Sequence, residues 1–388
     1  MSDHDHTSRV FDAAVRWAGT TFKTENWKFE IGKPGSWPRV PHFKFQIRIF
    51  QFSMLLVLGA LVVVGNLQAQ APSLRYGGEV PPEVDTIYER GLSWLAQRQA
   101  PDGQWQDGHN GAGQNGLCLM AFLASGEDPN FGKYAPNIRR AIRAIITTQD
   151  ATTGYLPNSM YHHGFAMLAL AEAYGVVDES LLWEGTAQKP RSISQALDLA
   201  IRCSVTSAQK NPFGAWRYSP DATDADTSVA GAMLMGLLAC RNAGLAVPDD
   251  TINKAVEYMR KSTAKNGFVA YSGGFGGGGE SQARSSVATL VYAISKHKDW
   301  EEFAATLKHI SADLEHREGG HPEYYRYYAA QALFQGDYDA WQKWNKNTIR
   351  LFKESQQADG SFGNGSYQTA MSLLALALNY RFLPIYER

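Results

Sequence analysis

From Val84 onward the chain repeats one pattern six times, and this repeat constrains the fold more than any other feature of the sequence. Each unit has an amphipathic segment, a glycine-containing turn and a second, almost wholly apolar segment. The first unit reads GLSWLAQRQAPDGQW and then GLCLMAFLASG, whereas the fifth is degenerate. Because one unit cannot cover its own apolar segment, neighbouring units must stack around a shared core.

The two segments of a unit differ in the surfaces they require. In the second unit Ile138, Ile142 and Ile145 lie on one face of a helix whose other face carries arginines, so this helix contacts both core and water. The second segment of a unit, such as Val229 to Ala239 in the third unit, is apolar on all sides and must be enclosed by other helices. Six amphipathic helices outside six apolar ones predict an all-α fold, an α/α toroid of six helical hairpins over residues 84–388.

An uncharged run, FSMLLVLGALVVVG, covers Phe52 to Gly65 and follows a stretch with eight basic and five acidic residues. Such a run suits the core of a signal peptide or a membrane anchor, and basic residues before it favour export. We therefore expect residues 1–48 to be a cytoplasmic tail or a misassigned leader and residues 49–71 a signal peptide or anchor. The toroid would then lie outside the cytoplasm, periplasmic or attached to the membrane through this segment.

Charge and cysteine content narrow the possible partners. With 37 basic and 38 acidic residues the net charge is −1, which disfavours a nucleic-acid partner. Cys118, Cys203 and Cys240 form no Cys-x-x-Cys pair and lie in apolar segments, so we interpret them as buried thiols; a Cys203–Cys240 disulfide is the alternative. We expect neither a cofactor nor a metal ion.

A glutamine precedes several of the turns, as in QRQAPDGQW, TTQDATTGY and ESQQADGSF. These segments resemble the Gln-Trp repeats of squalene and oxidosqualene cyclases and the related repeats of protein prenyltransferase β subunits. Together with GAWRYSPDATDADTSVAG, YYRYYAAQALF and the C-terminal RFLPIYER, they are most similar to compact exported proteins of the terpene-cyclase-like or prenyltransferase-like type. The resemblance implies a cavity inside the inner helices that receives an isoprenoid or another apolar lipid.

Asp224 and Asp226 match most of the Asp-x-Asp-Asp motif with which class II terpene cyclases protonate a polyene or epoxide. The resemblance makes Asp226 the acid and Asp224 a tuning partner, whereas Thr227 stands where the last Asp belongs. Thr227→Asp would rebuild the motif and is expected to strengthen this activity. The residues alone favour Asp226 as the N-cap of the apolar helix that follows it over Asp226 as an acid, and the two roles can coexist.

Other ionisable and aromatic residues complete the predicted site. His163 is a second predicted tuning partner of Asp226, because imidazole titrates near neutral pH. The alternative is that His162 and His163 are helix-entry residues that bond to turn carbonyls. The predicted substrate-binding residues are aromatic or imidazole side chains that line a cavity able to hold an apolar chain or a carbocation. They are Trp216, Tyr218, His162, Tyr324, Tyr325, Tyr327 and Tyr328.

The prenyltransferase resemblance does not extend to a zinc site. Those enzymes hold Zn²⁺ with an Asp two residues before a Cys, and no cysteine of this chain has a carboxylate at that spacing. The favoured function is an exported terpene-cyclase-like or prenyltransferase-like toroid protein that binds or transforms an isoprenoid or another apolar lipid, and the sequence leaves open whether it is an enzyme. The alternatives are a non-catalytic exported binding or scaffold module and a polysaccharide-processing toroid, for which no clear carboxylate pair is present. A buried, dry Asp226 would favour the enzyme.

Overall fold

The structure is a computed structural model that describes residues 80–107, 111–186, 191–272, 281–315, 320–383 and 385. The chain divides into two units, Met1–Ala69 and Gln70–Arg388, and every described residue lies in the second. The predicted leader at 1–48 and the apolar segment at 49–71 lie outside the described residues. Within the described ranges no helix combines the length and the apolar character that a membrane span requires.

Twelve helices of eleven residues or more, and one shorter helix, form from the described residues. In chain order they are α1 (Pro82–Arg98), α2 (Ala112–Leu123), α3 (Ala135–Thr148), α4 (Met160–Ala173), the short α5 (Glu179–Leu182), α6 (Ile193–Lys210), α7 (Thr227–Asn242), α8 (Asp249–Lys261), α9 (Gln282–Ile294), α10 (Glu301–Ser311), α11 (Pro322–Gly336), α12 (Tyr338–Ser355) and α13 (Ser366–Leu376), with a final 3₁₀ turn at Ala377–Asn379.

The long helices alternate between two layers. The inner helices α2, α4, α7, α9, α11 and α13 are buried along most of their length, and all twelve residues of α2 are buried. The outer helices α1, α3, α6, α8, α10 and α12 bury one face and expose charged side chains on the other. This alternation confirms the predicted α/α toroid of six helical hairpins.

The inner helices form a closed ring. Each contacts the next in chain order, and α13 returns to contact α2. Glycines permit the closest of these approaches: a β-carbon on Gly164 in α4 would lie 2.7 Å from the carbonyl carbon of Ala232 in α7. A β-carbon on Gly116 in α2 would likewise lie 2.7 Å from the carbonyl oxygen of Phe165. Any larger residue at either position would push two inner helices apart.

The glutamines before the turns join neighbouring units. In three units the side-chain Nε2 donates both to the carbonyl of the turn glycine and to a carbonyl in the next outer helix. These paired bonds are Gln99 to Gly103 (3.1 Å) and Asn137 (3.0 Å), Gln149 to Gly154 (3.0 Å) and Ala196 (2.9 Å), and Gln356 to Gly360 (2.9 Å) and Ile87 (2.9 Å). The glutamine that marks the repeat therefore tethers one hairpin to the next.

The tryptophans of the turns pack into the core. Trp105 donates from Nε1 to the carbonyl of Leu95 at 2.9 Å, and Trp216 donates to that of Ser204 at 3.0 Å. Both rings are buried, so each fastens a turn to the outer helix before it. Cys118, Cys203 and Cys240 are buried free thiols, as the sequence interpretation proposed, and the alternative Cys203–Cys240 disulfide is absent.

Side-chain caps set where three inner helices begin. Ser159 accepts from the backbone N–H of His162 ahead of α4, and Ser281 accepts from that of Arg284 ahead of α9. Asp226 accepts from the N–H of Val229 ahead of α7. Because a cap satisfies an otherwise unpaired N–H, it fixes the first turn of the helix that follows. The side chains of these first turns form the site described next.

Candidate functional site

A cavity of about 560 Å³ lies at the N-terminal ends of the six inner helices. Every inner helix contributes a residue from its cap or its first two turns, and two tyrosines come from the loops before α7 and α9. The lining residues are Gly113, Gln114, Leu117, Ser159, Tyr161, His162, Phe165, Tyr218, Ser228, Val229, Tyr271, Ser281, Ala283, Arg284, His321, Tyr324 and Tyr367. This volume is within the range of small-molecule sites.

Aromatic side chains form much of the cavity wall. Tyr161 packs edge-on against Phe165 with ring centroids 5.0 Å apart, and its centroid lies 5.9 Å from that of Tyr324. Tyr324 in turn packs edge-on against Tyr328 at 4.8 Å. Burial raises the pKa of Tyr161 and of Tyr324 above the ordinary tyrosine value, so both hydroxyls stay neutral. This part of the wall is apolar with uncharged polar tips.

Asp226 is fully buried, and its two oxygens have different surroundings. Oδ1 accepts a hydrogen bond of 2.8 Å from the N–H of Val229, which confirms the predicted cap. Oδ2 accepts no hydrogen bond from any described residue, and it lies 3.6 Å from Nε of Arg217. Burial raises the pKa of this carboxyl to about 6, although the N–H of Val229 and the charge of Arg217 oppose the rise. The same side chain can therefore cap α7 and carry a proton.

Asp226 is electrostatically coupled to the cavity wall without itself lining it. Its charge acts on Tyr218 and Tyr324, and both of these hydroxyls belong to lining residues. The next residues of the chain, Ser228 and Val229, line the cavity as well. Asp226 thus lies behind residues that line the cavity.

Arg217 stands beside both aspartates and was not among the residues that the sequence singled out. Its Nη1 donates to Oδ2 of Asp224 at 3.0 Å. The guanidinium lies over the rings of Tyr218 (5.5 Å) and Tyr271 (5.4 Å), whose hydroxyls are hydrogen-bonded to each other at 2.7 Å. The arginine lies within the GAWRYSPDATDAD segment, but only the fold brings Tyr271 across to it.

Thr227, at the last position of the incomplete motif, has a structural role. Its hydroxyl donates to the carbonyl of Ala270 at 2.9 Å, and its N–H donates to that of Tyr271 at 3.0 Å. The side chain is buried and holds the segment before α9 against the start of α7. An aspartate here would place a carboxylate against a carbonyl oxygen, so the expectation that Thr227→Asp strengthens activity does not agree with the structure.

The two adjacent histidines have different surroundings. His162 lines the cavity, and its Nδ1 accepts from the N–H of Gly113 at 3.3 Å. His163 is buried between α4 and α6: Nδ1 accepts from the N–H of Leu156 at 3.0 Å, and Nε2 lies 3.1 Å from the carbonyl of Ala200. Burial lowers the pKa of His163 to about 4. It is a neutral structural residue, and the structure does not support its prediction as a tuning partner of Asp226.

The predicted substrate-binding residues divide into two groups. His162, Tyr218 and Tyr324 line the cavity. The other four are buried in the core and do not line it, because their positions on the helix or turn direct them elsewhere: Trp216, Tyr325, Tyr327 and Tyr328.

Sequence reasoning missed several lining residues that share one place in the repeat. They are Tyr161, Ser228, Ala283, Arg284 and Tyr367, each within the first three residues of an inner helix. Aligning the units on the first turn of the second helix would have found them.

No protein-family model matches the chain, and comparison with curated proteins returns no match. Solved structures do match. The α-1,6-mannanase GH76A of Salegentibacter sp. HEL1_6 has a TM-score of 0.55 at 9% identity, covering 76% of this chain and 98% of that one. A variant of the type II terpene cyclase MstE from Scytonema, in complex with geranylgeranyl dihydroxybenzoate, has a TM-score of 0.53 at 12% identity, covering 78% and 98%.

A protein from Actinoplanes also matches, with a TM-score of 0.50 at 14% identity, covering 76% of this chain and 99% of that one. At such identities the likeness concerns the fold alone. It confirms that the chain is an α/α toroid, the fold that the mannanase and the terpene cyclase share.

Proposed function

We propose that the protein binds an isoprenoid or a similar apolar lipid in the cavity and transforms it by protonation, with Asp226 as the acid. One observation carries this proposal: a fully buried carboxyl, with one oxygen free of hydrogen bonds, lies next to a cavity walled by neutral aromatic side chains. A cap alone uses one carboxyl oxygen and does not need the second to be buried without a hydrogen bond.

The pKa of Asp226 indicates which substrates are suitable. A general acid works best when its pKa lies near the working pH, and a value of about 6 keeps part of the population protonated near neutrality. Such an acid is too weak for an unactivated alkene. We therefore favour an epoxide or an electron-rich alkene: the proton leaves Oδ2, the epoxide C–O bond or the alkene π bond breaks, and a carbocation forms beside the aromatic wall.

The proton must cross the layer between Asp226 and the cavity. Tyr324 is better placed to carry it than Tyr218, because Tyr218 is half-exposed and hydrogen-bonded to Tyr271, whereas Tyr324 is buried against Tyr161. The Tyr324 hydroxyl makes no hydrogen bond with Oδ2 in the described structure, so this step requires Tyr324 to move within hydrogen-bonding distance of Oδ2. Tyr324 then gives its hydroxyl proton to the substrate and takes the proton of Asp226. The charge of Arg217, 3.6 Å from Oδ2, then stabilises the resulting carboxylate.

The first experiment is native mass spectrometry of protein isolated from membranes. We expect an apolar ligand to co-purify with the parent and to be lost from Ala283→Phe, which fills the cavity. Ala304→Phe adds the same ring to an exposed position of the outer helix α10 and should retain the ligand. Ligand bound equally by all three proteins would refute the cavity as the binding site.

The second experiment separates catalysis from binding. Asp226→Asn keeps a capping oxygen but cannot donate the proton, so it should abolish turnover of a suitable epoxide and still bind ligand. Product formation by a folded Asp226→Asn protein would rule out the acid. Ligand binding without turnover in the parent would instead favour the non-catalytic binding module.

A polysaccharide substrate is the second candidate, because the mannanase of Salegentibacter shares the fold. Glycoside hydrolysis normally uses two carboxyl groups on either side of the bond. Among the described residues that line the cavity there is neither an aspartate nor a glutamate. The lipid substrate therefore remains our proposal.

Export of the toroid, with attachment to the membrane through the N-terminal segment, is also part of the proposal. It is supported by the apolar run from Phe52 to Gly65 and the basic residues before it. A reporter that is active only in the periplasm, fused after Arg388, should give signal. Signal only from a reporter that requires the cytoplasm would exclude export.

A further inference from the structure

Arg217 lies between two carboxylates that differ in their exposure to water. Its Nη1 makes a hydrogen bond of 3.0 Å with Asp224, whose side chain is 62% exposed. Its Nε lies 3.6 Å from Oδ2 of Asp226, which is fully buried, and this is an ion-pair contact without a hydrogen bond. The guanidinium is thus bonded to the exposed aspartate and held slightly away from the buried one.

Two tyrosine rings restrict where the guanidinium can move. It lies over Tyr218 and Tyr271, and the hydrogen bond between their hydroxyls ties the two rings together. Arginine stays charged at all physiological pH values and stacks on aromatic faces with its planar group. Its distance from Asp226 is therefore set by this stacking and by the bond to Asp224, both of which leave the charge in place.

We propose that Arg217 is a positioning residue for the Asp226 acid and that Asp224 controls it, by holding the guanidinium back from hydrogen-bonding distance of Oδ2 so that Asp226 can keep a proton. The inference rests on the proposed function for its catalytic meaning. The state of the carboxyl can nevertheless be measured without any substrate.

Besides the backbone N–H groups of Val229 and Ser228, which lower its pKa, the groups that act on Asp226 are titratable side chains. In the described part of the chain they are Arg217, Tyr218 and Asp224 from the loop before α7, and Tyr324 from α11. The segment before α9 contributes backbone at Tyr271 and Ser272. Both tyrosines have a raised pKa and are neutral, so Arg217 and Asp224 supply the charge that acts on Asp226 near neutral pH.

Removal of the Arg217 charge and removal of the Asp224 charge should therefore shift the pKa of Asp226 in opposite directions. Arg217→Gln removes the cation that favours the carboxylate, so the pKa should rise. Asp224→Asn removes a like charge and releases the guanidinium toward Oδ2, so the pKa should fall. An opposite charge at this range shifts a carboxyl pKa by about one unit or more, and we expect shifts of that size.

The experiment follows the infrared carbonyl band of the protonated Asp226 carboxyl in the intact protein between pH 4 and 8, with the band assigned by its loss in Asp226→Asn. Asp221→Asn is the matched control: it makes the same change in the same loop, and Asp221 pairs with the exposed Lys210 rather than with Arg217. This control should leave the midpoint unchanged.

Opposite shifts in Arg217→Gln and Asp224→Asn would support the inference. Unchanged midpoints, or shifts in the same direction, would overturn it. If Arg217→Gln does not fold, Arg217→Lys replaces it, because lysine lacks the planar, forked group that stacks on the two tyrosine rings, so the charge is no longer held in place and the midpoint should still move. If the two variants show these shifts but the parent transforms no lipid, the proposed function is refuted and this inference stands.

Discussion

Nε2 of Gln356 in the last repeat donates a hydrogen bond of 2.9 Å to the carbonyl of Ile87 in the first helix. The ring therefore closes with the same glutamine contact that joins earlier units to their neighbours. Since the two residues are 269 positions apart, this contact forms only when all six hairpins are in place. It links the repeat pattern of the sequence directly to the closed tertiary structure.

Gln356→Ala should lower the free energy of unfolding by about 1–3 kcal/mol, because the carbonyls of Ile87 and Gly360 lose their donor in a partly buried place. Chemical denaturation measures the change. Gln357→Ala, at the adjacent exposed position, is the control and should cost much less. Equal losses in both variants would show that closure does not depend on this contact.

Stability should fall between about pH 4 and pH 6 as Asp226 ionises. The folded-state pKa of about 6 lies above the ordinary value of 3.8, so the stabilising protonated form is present below pH 3.8 and is lost as the pH rises through 6. A difference of this size corresponds to about 3 kcal/mol. Asp226→Asn should be more stable than the parent at pH 7 and similar to it at pH 4.

The measurement is denaturant unfolding of both proteins from pH 4 to 8. Asp226→Ala is the control for the cap: it should lose about 1 kcal/mol at pH 4, where Asp226→Asn loses little. Parallel stability curves for the parent and Asp226→Asn would mean that the carboxyl titrates normally.

Thr227→Asp should destabilise the fold by about 2 kcal/mol or more, because a carboxylate would replace the donor that serves the carbonyl of Ala270. Thr227→Ser retains the hydroxyl and should stay close to the parent. Thermal and chemical unfolding of the two variants test this. A Thr227→Asp protein as stable as Thr227→Ser would show that the site accepts the complete motif.

Tyr324→Phe should reduce product formation by at least about tenfold while leaving ligand binding in place, because the ring remains and only the hydroxyl that carries the proton is removed. Tyr325→Phe removes a hydroxyl from the next residue, which does not line the cavity, and should keep its activity. Steady-state kinetics and native mass spectrometry provide the two readouts. Similar activity in both variants would exclude Tyr324 from the proton path.

Much of the architecture was predictable because it depends on local sequence properties. The period of apolar residues distinguishes α6 from α7, and the Asp226 cap follows from a carboxylate placed directly before an apolar helix. Six such hairpins have to stack, so the toroid and its layer order could be derived from the pattern alone.

The site was only partly predictable, because it depends on which side of each inner helix faces the centre of the ring that the inner helices form. Successive residues of a helix are about 100° apart, so Tyr324 lines the cavity while its neighbour Tyr325 does not. An apolar helix buried on all sides carries no sequence signal for this direction. His163 was misplaced for the same reason, since it is buried and hydrogen-bonded away from the cavity. Trp216 lies in the turn before α7, and its ring is buried and donates to the carbonyl of Ser204 instead of facing the cavity.

The sequence by itself determined the repeat, the two layers of helices and the residues that cap and join them, since each of these follows from contacts within a unit or with the next. Only the tertiary structure decided the state of Asp226. Its second oxygen is buried and accepts no hydrogen bond from a described residue. Arg217 is held between that oxygen and Asp224, and Tyr271 from another unit packs over the guanidinium. Burial and charge at one atom depend on every element that surrounds it, and several of those elements are distant in the chain.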